Sequence, residues 1–259
     1  MLQVTAVPAF TDNYIWLIHS PRDPSQVVAV DPGEAAPVLA ALSRSDWALC
    51  GILLTHKHHD HVGGVAELLD RFDVPAFAPR HDPTPAEPTK LGEGQHAEFA
   101  ELGLRFDVLD VPGHTLGHIA YVGHGAVFSG DTLFSAGCGR LFEGTPEQMS
   151  ESLAKFAALP PATQVYCGHE YTVSNLRFAQ AVEPENTAVQ AYLQSCLDLR
   201  ATHKATLPST IRQERNVNPF LRCHGESVKQ AAERHAGCRL QNHVQVFATL
   251  RAWKDGFKS

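Results

Sequence analysis

Residues 55–61 read Thr-His-Lys-His-His-Asp-His and carry more metal-binding potential than any other segment of the chain. Four side chains of two chemical kinds fall within six positions: His56, His58, Asp60 and His61. Neutral imidazole is the commonest protein metal ligand, and a carboxylate beside it allows a second divalent ion to bind. A solvated histidine-rich loop would explain an isolated pair of histidines, but not this density of ligands. The segment therefore predicts a metal site.

Three further polar residues share one local pattern, in which an apolar run is followed by Gly and then by a potential ligand. They are His114, Asp131 and His169. A single occurrence would more often be a turn than a ligand. With the first cluster, however, they make seven potential ligands, five His and two Asp. That set suits two ions sharing a bridging carboxylate and a bridging water, rather than one closed tetrahedral site. We predict a two-metal hydrolytic centre.

Two other histidines near these ligands have different predicted roles. His118 lies four residues after His114, and we expect it to orient a ligand loop through hydrogen bonds rather than to bind metal. His59 should point away from the ions if His58 and Asp60 point towards them, so we predict a structural role for it.

The elements that must position the ligands alternate between short apolar runs and amphipathic segments, which indicates an α/β protein. The predicted strands are residues 14–19, 27–30, 51–55, 104–111, 119–122, 126–129 and 163–167. The predicted helices are residues 35–43, 64–72, 147–158, 174–181 and 187–204. The His cluster follows a strand, so we expect it in the loop at that strand's carboxyl end. The pattern becomes mainly helical near Thr172, which predicts a sheet-containing domain over residues 1–172 and a smaller helical C-terminal domain over residues 173–259.

Composition limits the function classes. The 259-residue chain has a net charge of −7, which gives no global attraction for nucleic acid, and it lacks an apolar run of membrane-spanning length. The first residues lack the features of a secretory signal. The six cysteines include no Cys-x-x-Cys pair and are predicted to be reduced packing residues. We expect a cytoplasmic monomer that binds neither nucleic acid nor membrane.

The metal motif, Thr-His-x-His-x-Asp-His followed by Gly-His, Gly-Asp and Gly-His, resembles that of the metallo-β-lactamase superfamily. Further segments, in both predicted domains, are similar to the hydroxyacylglutathione hydrolase (glyoxalase II) family. They are residues 11–14 (Thr-Asp-Asn-Tyr), 137–145 (Gly-Cys-Gly-Arg-Leu-Phe-Glu-Gly-Thr), 168–172 (Gly-His-Glu-Tyr-Thr), 218–222 (Asn-Pro-Phe-Leu-Arg) and 251–255 (Arg-Ala-Trp-Lys-Asp).

This resemblance implies an αββα sandwich followed by a helical domain that closes over the substrate. It assigns His56, His58 and His114 to one metal ion. Asp60, His61 and His169 would bind the other, and Asp131 would bridge both. Family members carry zinc, and iron or manganese also occur; ligation by nitrogen and oxygen does not select sharply among them. Asp60 would also act in catalysis by orienting the attacking hydroxide.

The resemblance also implies a substrate. The reaction would be hydrolysis of S-(2-hydroxyacyl)glutathione thioesters, chiefly S-D-lactoylglutathione, to D-lactate and glutathione, by a hydroxide held between the ions. This is the second step of methylglyoxal detoxification. The substrate-binding residues would be Arg140, Phe142, Tyr171, Arg251 and Lys254. Some family members have Lys at the position of Arg140 and Tyr at that of Phe142, and these departures would alter affinity for the thiol.

Three alternatives remain at this stage. Another hydrolase of the same fold, such as a lactonase, an RNA-processing nuclease or a β-lactamase, is disfavoured by the Arg140 and Arg251/Lys254 segments. A persulfide dioxygenase would use a single iron, which the complete second ligand set and the long C-terminal segment disfavour. A non-catalytic metal-binding or redox-sensing protein would differ from an enzyme in having no metal-dependent turnover.

Overall fold

A computed structural model describes residues 2–258. Its strands are β1 (Val4–Ala9), β2 (Asn13–His19), β3 (Gln26–Val30), β4 (Ala48–Leu53), β5 (Ala76–Pro79), β6 (Thr89–Leu91), β7 (His96–Phe99), β8 (Leu104–Asp110), β9 (Ile119–Gly123), β10 (Ala126–Gly130), β11 (Leu133–Phe134), β12 (Gly137–Cys138), β13 (Gln164–Cys167) and β14 (Ser209–Thr210). Its α-helices are α1 (Ala35–Ser45), α2 (His59–Val62), α3 (Val65–Arg71), α4 (Pro146–Ala157), α5 (Thr172–Val182), α6 (Thr187–Ala201), α7 (Ile211–Val217), α8 (Glu226–Ala236) and α9 (His243–Gly256).

The strands form two six-stranded sheets and one short hairpin. The first sheet has the order β1-β2-β3-β4-β5-β6, and its strands from β3 onward are parallel. The second has the order β14-β13-β10-β9-β8-β7. In it, β8 and β10 are both antiparallel to β9, while β10 is parallel to β13. The strands β8, β10 and β13 therefore point the same way, and their carboxyl ends meet at one edge.

Side chains alternate between the two faces of each sheet. One face packs against the other sheet and the opposite face against helices, which gives four layers. Val28 and Val30 face the second sheet and share a buried core with Phe106 and Phe128. On the opposite face of the same strand, Val27 and Ala29 pack in the cluster that includes α1 and α3. This period of two is the geometry of the pleated strand. The outer face of the second sheet is covered in the same way by α4, α5 and α9. The predicted αββα sandwich is confirmed.

The segment from residue 172 onward is mainly helical, as its pattern predicts, and contains five of these helices where two were predicted individually, but it is not purely helical. Ser209 and Thr210 pair antiparallel with β13 and extend the second sheet. A two-residue strand has no measurable periodicity, so the sequence pattern does not reveal it. The division into domains at residues 172 and 173 stays a prediction.

The state of the cysteines and the character of the helices complete the description of the fold. All six cysteines lie within the described residues and are free thiols, and Cys138, Cys167, Cys196 and Cys223 are buried. No helix among residues 2–258 combines the length and apolar character needed to span a membrane.

Candidate metal centre

Three imidazole rings converge where β4 and β8 end. The Nδ1 atom of His58 lies 3.1 Å from Nε2 of His56 and 2.9 Å from Nε2 of His114. Tetrahedral coordination with metal–nitrogen bonds of about 2.1 Å would place ligand atoms about 3.4 Å apart. The three ring nitrogens are thus grouped closely enough to hold one ion after a small expansion.

A second group of ligand atoms lies beside the first. The Asp60 Oδ2 atom is 3.5 Å from Nε2 of His61 and 3.4 Å from Nε2 of His169. The two Nε2 atoms are 3.4 Å from each other. These distances match the tetrahedral spacing, so this group also fits a metal ion.

Asp131 lies between the two groups. Its Oδ2 atom is 3.4 Å from Nε2 of His114 and 3.3 Å from Nε2 of His169, while its Oδ1 atom is 3.3 Å from Nε2 of His61. The buried Oδ1 atom receives no hydrogen bond from the described residues. A buried carboxylate oxygen without a donor is costly unless a cation satisfies it. The donor set therefore fits two divalent cations with Asp131 between them.

Hydrogen bonds to the outward nitrogens of four histidines leave Nε2 as the ring nitrogen that faces the centre. The Nδ1 atom of His61 lies 3.0 Å from Asp31 Oδ2, that of His169 2.8 Å from Asp12 Oδ1, and that of His114 2.9 Å from the carbonyl oxygen of Arg140. Carboxylates and carbonyls only accept, so these Nδ1 atoms donate.

The Nδ1 atom of His56 also donates, in this case to the hydroxyl group of Thr55. The hydroxyl of Thr55 donates to Asp31 Oδ2 over 2.7 Å, so it accepts from Nδ1 of His56 over 3.1 Å. In the neutral ring each Nε2 atom is then an acceptor, which is the form that binds metal.

Asp31 is the functional residue that sequence reasoning missed. Asp31-Pro32-Gly33 has the composition of a simple turn after β3. In the structure the Asp31 carboxylate is buried and accepts from the Thr55 backbone N–H over 2.7 Å, as well as from the Thr55 hydroxyl and the His61 ring. The one available signal was its place at the end of a strand parallel to β4, whose end carries the His cluster.

The hydrogen bond of His118 agrees with the orienting role predicted for it. Its Nε2 atom accepts the backbone N–H of Asp131 over 3.1 Å, and its ring stacks on that of His56. His59 is exposed, in agreement with its predicted structural role. One local prediction was wrong, because Asp60 and His61 lie in the short helix α2 rather than in a loop.

Two glycines allow the backbone to approach the ligands. A Cβ atom on Gly168 would lie 2.6 Å from Asp131 Oδ1, and one on Gly139 would lie 1.9 Å from the Asp131 carbonyl oxygen. Neither position can hold a side chain without moving Asp131. The Gly of the Gly-His pattern before His169 is therefore a packing requirement of the centre.

Burial and neighbouring charges shift the pKa values of the side chains at this site in different directions. Burial keeps the pKa of His56 well below its ordinary value, so this ring is neutral. Burial alone would raise the pKa of Asp131, but the neighbouring His61 and His169 rings outweigh it and hold that pKa well below the usual range. Burial would likewise lower the pKa of His169, yet Asp131 raises it to about 10. Asp131 is thus a buried anion that attracts cations.

All five predicted substrate-binding residues line one cleft of about 580 Å³ that opens onto the metal centre. Phe142 is 63 % exposed, with its ring centroid 5.6 Å from that of His58. The Tyr171 ring stacks on His169 at 4.7 Å and 4°. Arg140, Arg251 and Lys254 line the same cleft and give it positive charge.

Arg251 and Arg140 both interact with other residues of the protein. Arg251 is buried, with Nη1 donating to the carbonyl oxygen of Cys138 over 2.8 Å and Nη2 to Asp255 Oδ1 over 3.0 Å. The same Asp255 oxygen lies 3.6 Å from Nε of Arg140. Sequence reasoning included Asp255 in a family segment but assigned it no role. It partly neutralises the positive charge of the cleft.

Comparisons with known proteins find matches along almost the whole chain. A model described as the metallo-beta-lactamase superfamily matches residues 10–169, and one described as the hydroxyacylglutathione hydrolase C-terminus matches residues 170–257. The hydroxyacylglutathione hydrolase of Aliivibrio salmonicida is 53% identical over 259 residues, covering 99% of this chain and 100% of that protein. This chain belongs to the hydroxyacylglutathione hydrolase family. The hydroxyacylglutathione hydrolase of Pseudomonas fluorescens is 52% identical over 258 residues, with 99% and 100% coverage.

Solved structures extend the likeness beyond the family. The B3 metallo-β-lactamase BLEG-1 is 25% identical, with a TM-score of 0.64 over 85% of this chain and 99% of that one. The protein TTHA1623, solved in a di-iron-bound form, is 26% identical, with a TM-score of 0.59 over 84% and 99%. This member of the hydroxyacylglutathione hydrolase family is thus an enzyme of the metallo-β-lactamase fold, with side chains grouped for divalent metal ions.

Proposed function

We propose that this enzyme hydrolyses S-(2-hydroxyacyl)glutathione thioesters, chiefly S-D-lactoylglutathione, to D-lactate and glutathione. The observation that carries the proposal is that predicted metal ligands and cationic side chains line one cleft. The ligands are His58, Asp60, His114, Asp131 and His169, and the cationic residues are Arg140, Arg251 and Lys254. A chain of net charge −7 concentrates three cationic side chains where an anionic substrate would lie. The names of the full-length relatives support the same reaction.

The proposed ligand sets are His56, His58 and His114 for one ion, Asp60, His61 and His169 for the other, and Asp131 for both. Zinc is the proposed ion, with iron or manganese as alternatives, and the di-iron form of TTHA1623 supports a pair of ions in this fold. Two bound divalent ions would lower the pKa of water to about 7 and would polarise the thioester carbonyl.

Asp60 is proposed to orient the attacking water. Its Oδ2 atom accepts from Nδ2 of Asn13 over 3.0 Å, and this hydrogen bond orients the carboxylate, which lines the cleft. Burial would raise the pKa of Asp60, but the hydrogen bond with His169 and the charge of His61 outweigh it and lower that pKa. The leaving group is a thiolate whose conjugate acid has a pKa of about 8.5, so no strong general acid is needed.

The cationic side chains of the cleft are proposed to bind the glycine carboxylate of glutathione. An arginine can hold a carboxylate through two parallel hydrogen bonds, while a lysine acts as a point charge. Tyr171 would contribute its hydroxyl, and Phe142 an apolar surface beside the metal centre. We also propose that the enzyme acts in the cytoplasm as a monomer; free cysteines are typical of a reducing compartment.

The test follows thioester absorbance with purified protein reconstituted with zinc. We expect turnover of S-D-lactoylglutathione with formation of D-lactate, and its loss after chelation and recovery when zinc is restored. A β-lactam and a homoserine lactone, assayed in parallel, serve as alternative substrates. The proposal fails if the zinc-loaded protein hydrolyses the thioester no faster than the background, or if a comparison substrate is clearly preferred.

Lys254 predicts a pH dependence of substrate binding. Burial lowers the pKa of Lys254 to about 8, and the nearby Arg251 charge adds to this effect. Its ammonium is therefore charged below about pH 8 and becomes neutral above it, while the substrate carboxylates stay ionised throughout. We expect KM for S-D-lactoylglutathione to rise as the pH increases from 7 to 9.5, after subtraction of background hydrolysis.

Lys254→Arg is the matched variant for this measurement, because arginine stays charged over the whole range. Its KM should change little between pH 7 and 9.5. The same rise in both proteins would show that another group is responsible, and a flat wild-type profile would exclude Lys254 from carboxylate binding.

A further inference from the structure

Glu214 is a fully buried carboxylate in the C-terminal helical segment that the proposed chemistry does not use. It lies in α7 and forms no ion pair within the described residues. Its three donors are the hydroxyl of Ser135 over 2.9 Å, the backbone N–H of Ala136 over 2.7 Å and Nδ2 of Asn218 over 3.2 Å. Burying a carboxylate is costly, so such a residue requires an explanation.

Two of these donors belong to the turn of the β11–β12 hairpin. Ala136 has a φ of 56°, a left-handed conformation that is unfavourable for a residue with a side chain. The amide side chain of Asn218 donates to the carbonyl oxygens of Phe134 and Gly137 over 3.2 Å and 2.9 Å. Glu214 and Asn218 together therefore hold a strained turn through its backbone groups.

Both ends of this hairpin reach the metal centre. It begins two residues after Asp131, and at its other end Gly139 packs against the Asp131 carbonyl oxygen. Immediately afterwards, the carbonyl oxygen of Arg140 accepts from the His114 ring. Between these ends, Phe134 and Cys138 line the cleft. A shift of the hairpin would displace the bridging carboxylate and rotate one imidazole.

We propose that Glu214, together with Asn218, is a positioning residue that sets the geometry of the metal centre through the β11–β12 hairpin. The inference rests on the proposed function in one respect, namely that Asp131 bridges two ions. It gives the helical C-terminal segment a role at the metal centre besides its role in substrate binding. Displacements of about 1 Å at a catalytic centre can lower the rate about 100-fold, so a fixed turn matters.

Glu214→Gln tests the proposal, because it keeps the shape of the side chain but presents an NH₂ group to one of the two hairpin donors. We expect weaker binding of one zinc equivalent by about 10- to 100-fold, as found for residues that orient metal ligands. The cobalt-substituted protein should show altered visible absorption, and kcat should fall more than KM rises. Zinc content is measured by mass spectrometry at controlled free zinc.

Glu183→Gln is the matched control. Glu183 is also buried in the C-terminal segment and hydrogen-bonded, here to Arg222 and Ser227, but it lies outside the cleft. We expect it to lower Tm while keeping wild-type zinc affinity and cobalt absorption. If Glu214→Gln also keeps both and loses only Tm, the positioning role is wrong.

Ser135→Ala provides the milder variant if Glu214→Gln does not fold. It removes one donor to Glu214 and should shift zinc affinity and cobalt absorption in the same direction by a smaller factor. Unchanged values in that variant would contradict the proposal. Wild-type protein that binds two zinc ions but does not cleave the thioester would refute the proposed function alone, since zinc affinity would still test the hairpin.

Discussion

Asp131→Asn should lower kcat for S-D-lactoylglutathione by more than about 100-fold and reduce bound zinc below two per chain. Both carboxylate oxygens lie among the Nε2 atoms of His61, His114 and His169, at 3.3–3.4 Å. The amide removes the negative charge between the two proposed ions. It also points an NH₂ group, which cannot bind a metal ion, at ring nitrogens that should bind one. Changes in residues that only orient ligands cost about 10- to 100-fold, so loss of the bridge should exceed that range. Steady-state kinetics and zinc content by mass spectrometry measure the effect.

Asp82→Asn is the control for this variant. Asp82 is a buried carboxylate that accepts from Thr115 and from the backbone of Lys57, and none of its hydrogen bonds among the described residues involves an imidazole ring. We expect two zinc ions and a smaller loss in kcat than in Asp131→Asn. An Asp131→Asn protein with two zinc ions and more than a tenth of the wild-type kcat would contradict the bridging role.

Arg251→Ala should raise KM for the glutathione thioester by about 10- to 100-fold and change kcat less. A hydrogen bond to a charged group contributes about 1.5–3 kcal/mol, and each 1.4 kcal/mol is a factor of ten in affinity. The buried guanidinium also donates to Cys138, so a modest change in kcat is expected as well. Steady-state kinetics with the glycine carboxylate free and with it esterified would isolate the binding effect. The variant should discriminate poorly between the two substrates.

Arg215→Ala is the matched control, because Arg215 also donates to backbone carbonyls, those of Ala157 and Leu159, but lies outside the cleft. Its KM should equal that of the wild type. An unchanged KM in Arg251→Ala would remove Arg251 from the substrate site.

Local patterns predict well which side chains come together at the candidate site, and they predict poorly which residues support them. His114, Asp131 and His169 each follow an apolar run and Gly, and the structure brings all three to the same edge because their strands point the same way. That arrangement depends on strand direction, which the alternation of residues along a strand does not specify. The predicted strands fail mainly at their ends, as for β4, which ends at Leu53 rather than at Thr55.

The supporting residues depend on contacts between distant segments. Asp31 is 30 positions from His61, and Glu214 is 79 positions from Ser135. Neither residue lies in a motif that suggests its partner; Asp31 has the appearance of a turn residue, and Glu214 that of an ordinary polar helix residue. Only the packed structure shows that their carboxylates are buried and which donors they accept.

Each proposed ion would take ligands from both sheets. His56 and His58 follow a strand of the first sheet and His114 one of the second, while Asp60 and His61 are paired with His169 in the same way. Metal binding is therefore coupled to the association of the two halves of the sandwich, and its free energy adds to the free energy of unfolding. At a free ion concentration of 100 times Kd, each site adds about 2.7 kcal/mol. The thermal stability of this enzyme should therefore vary with the zinc supply of the cell.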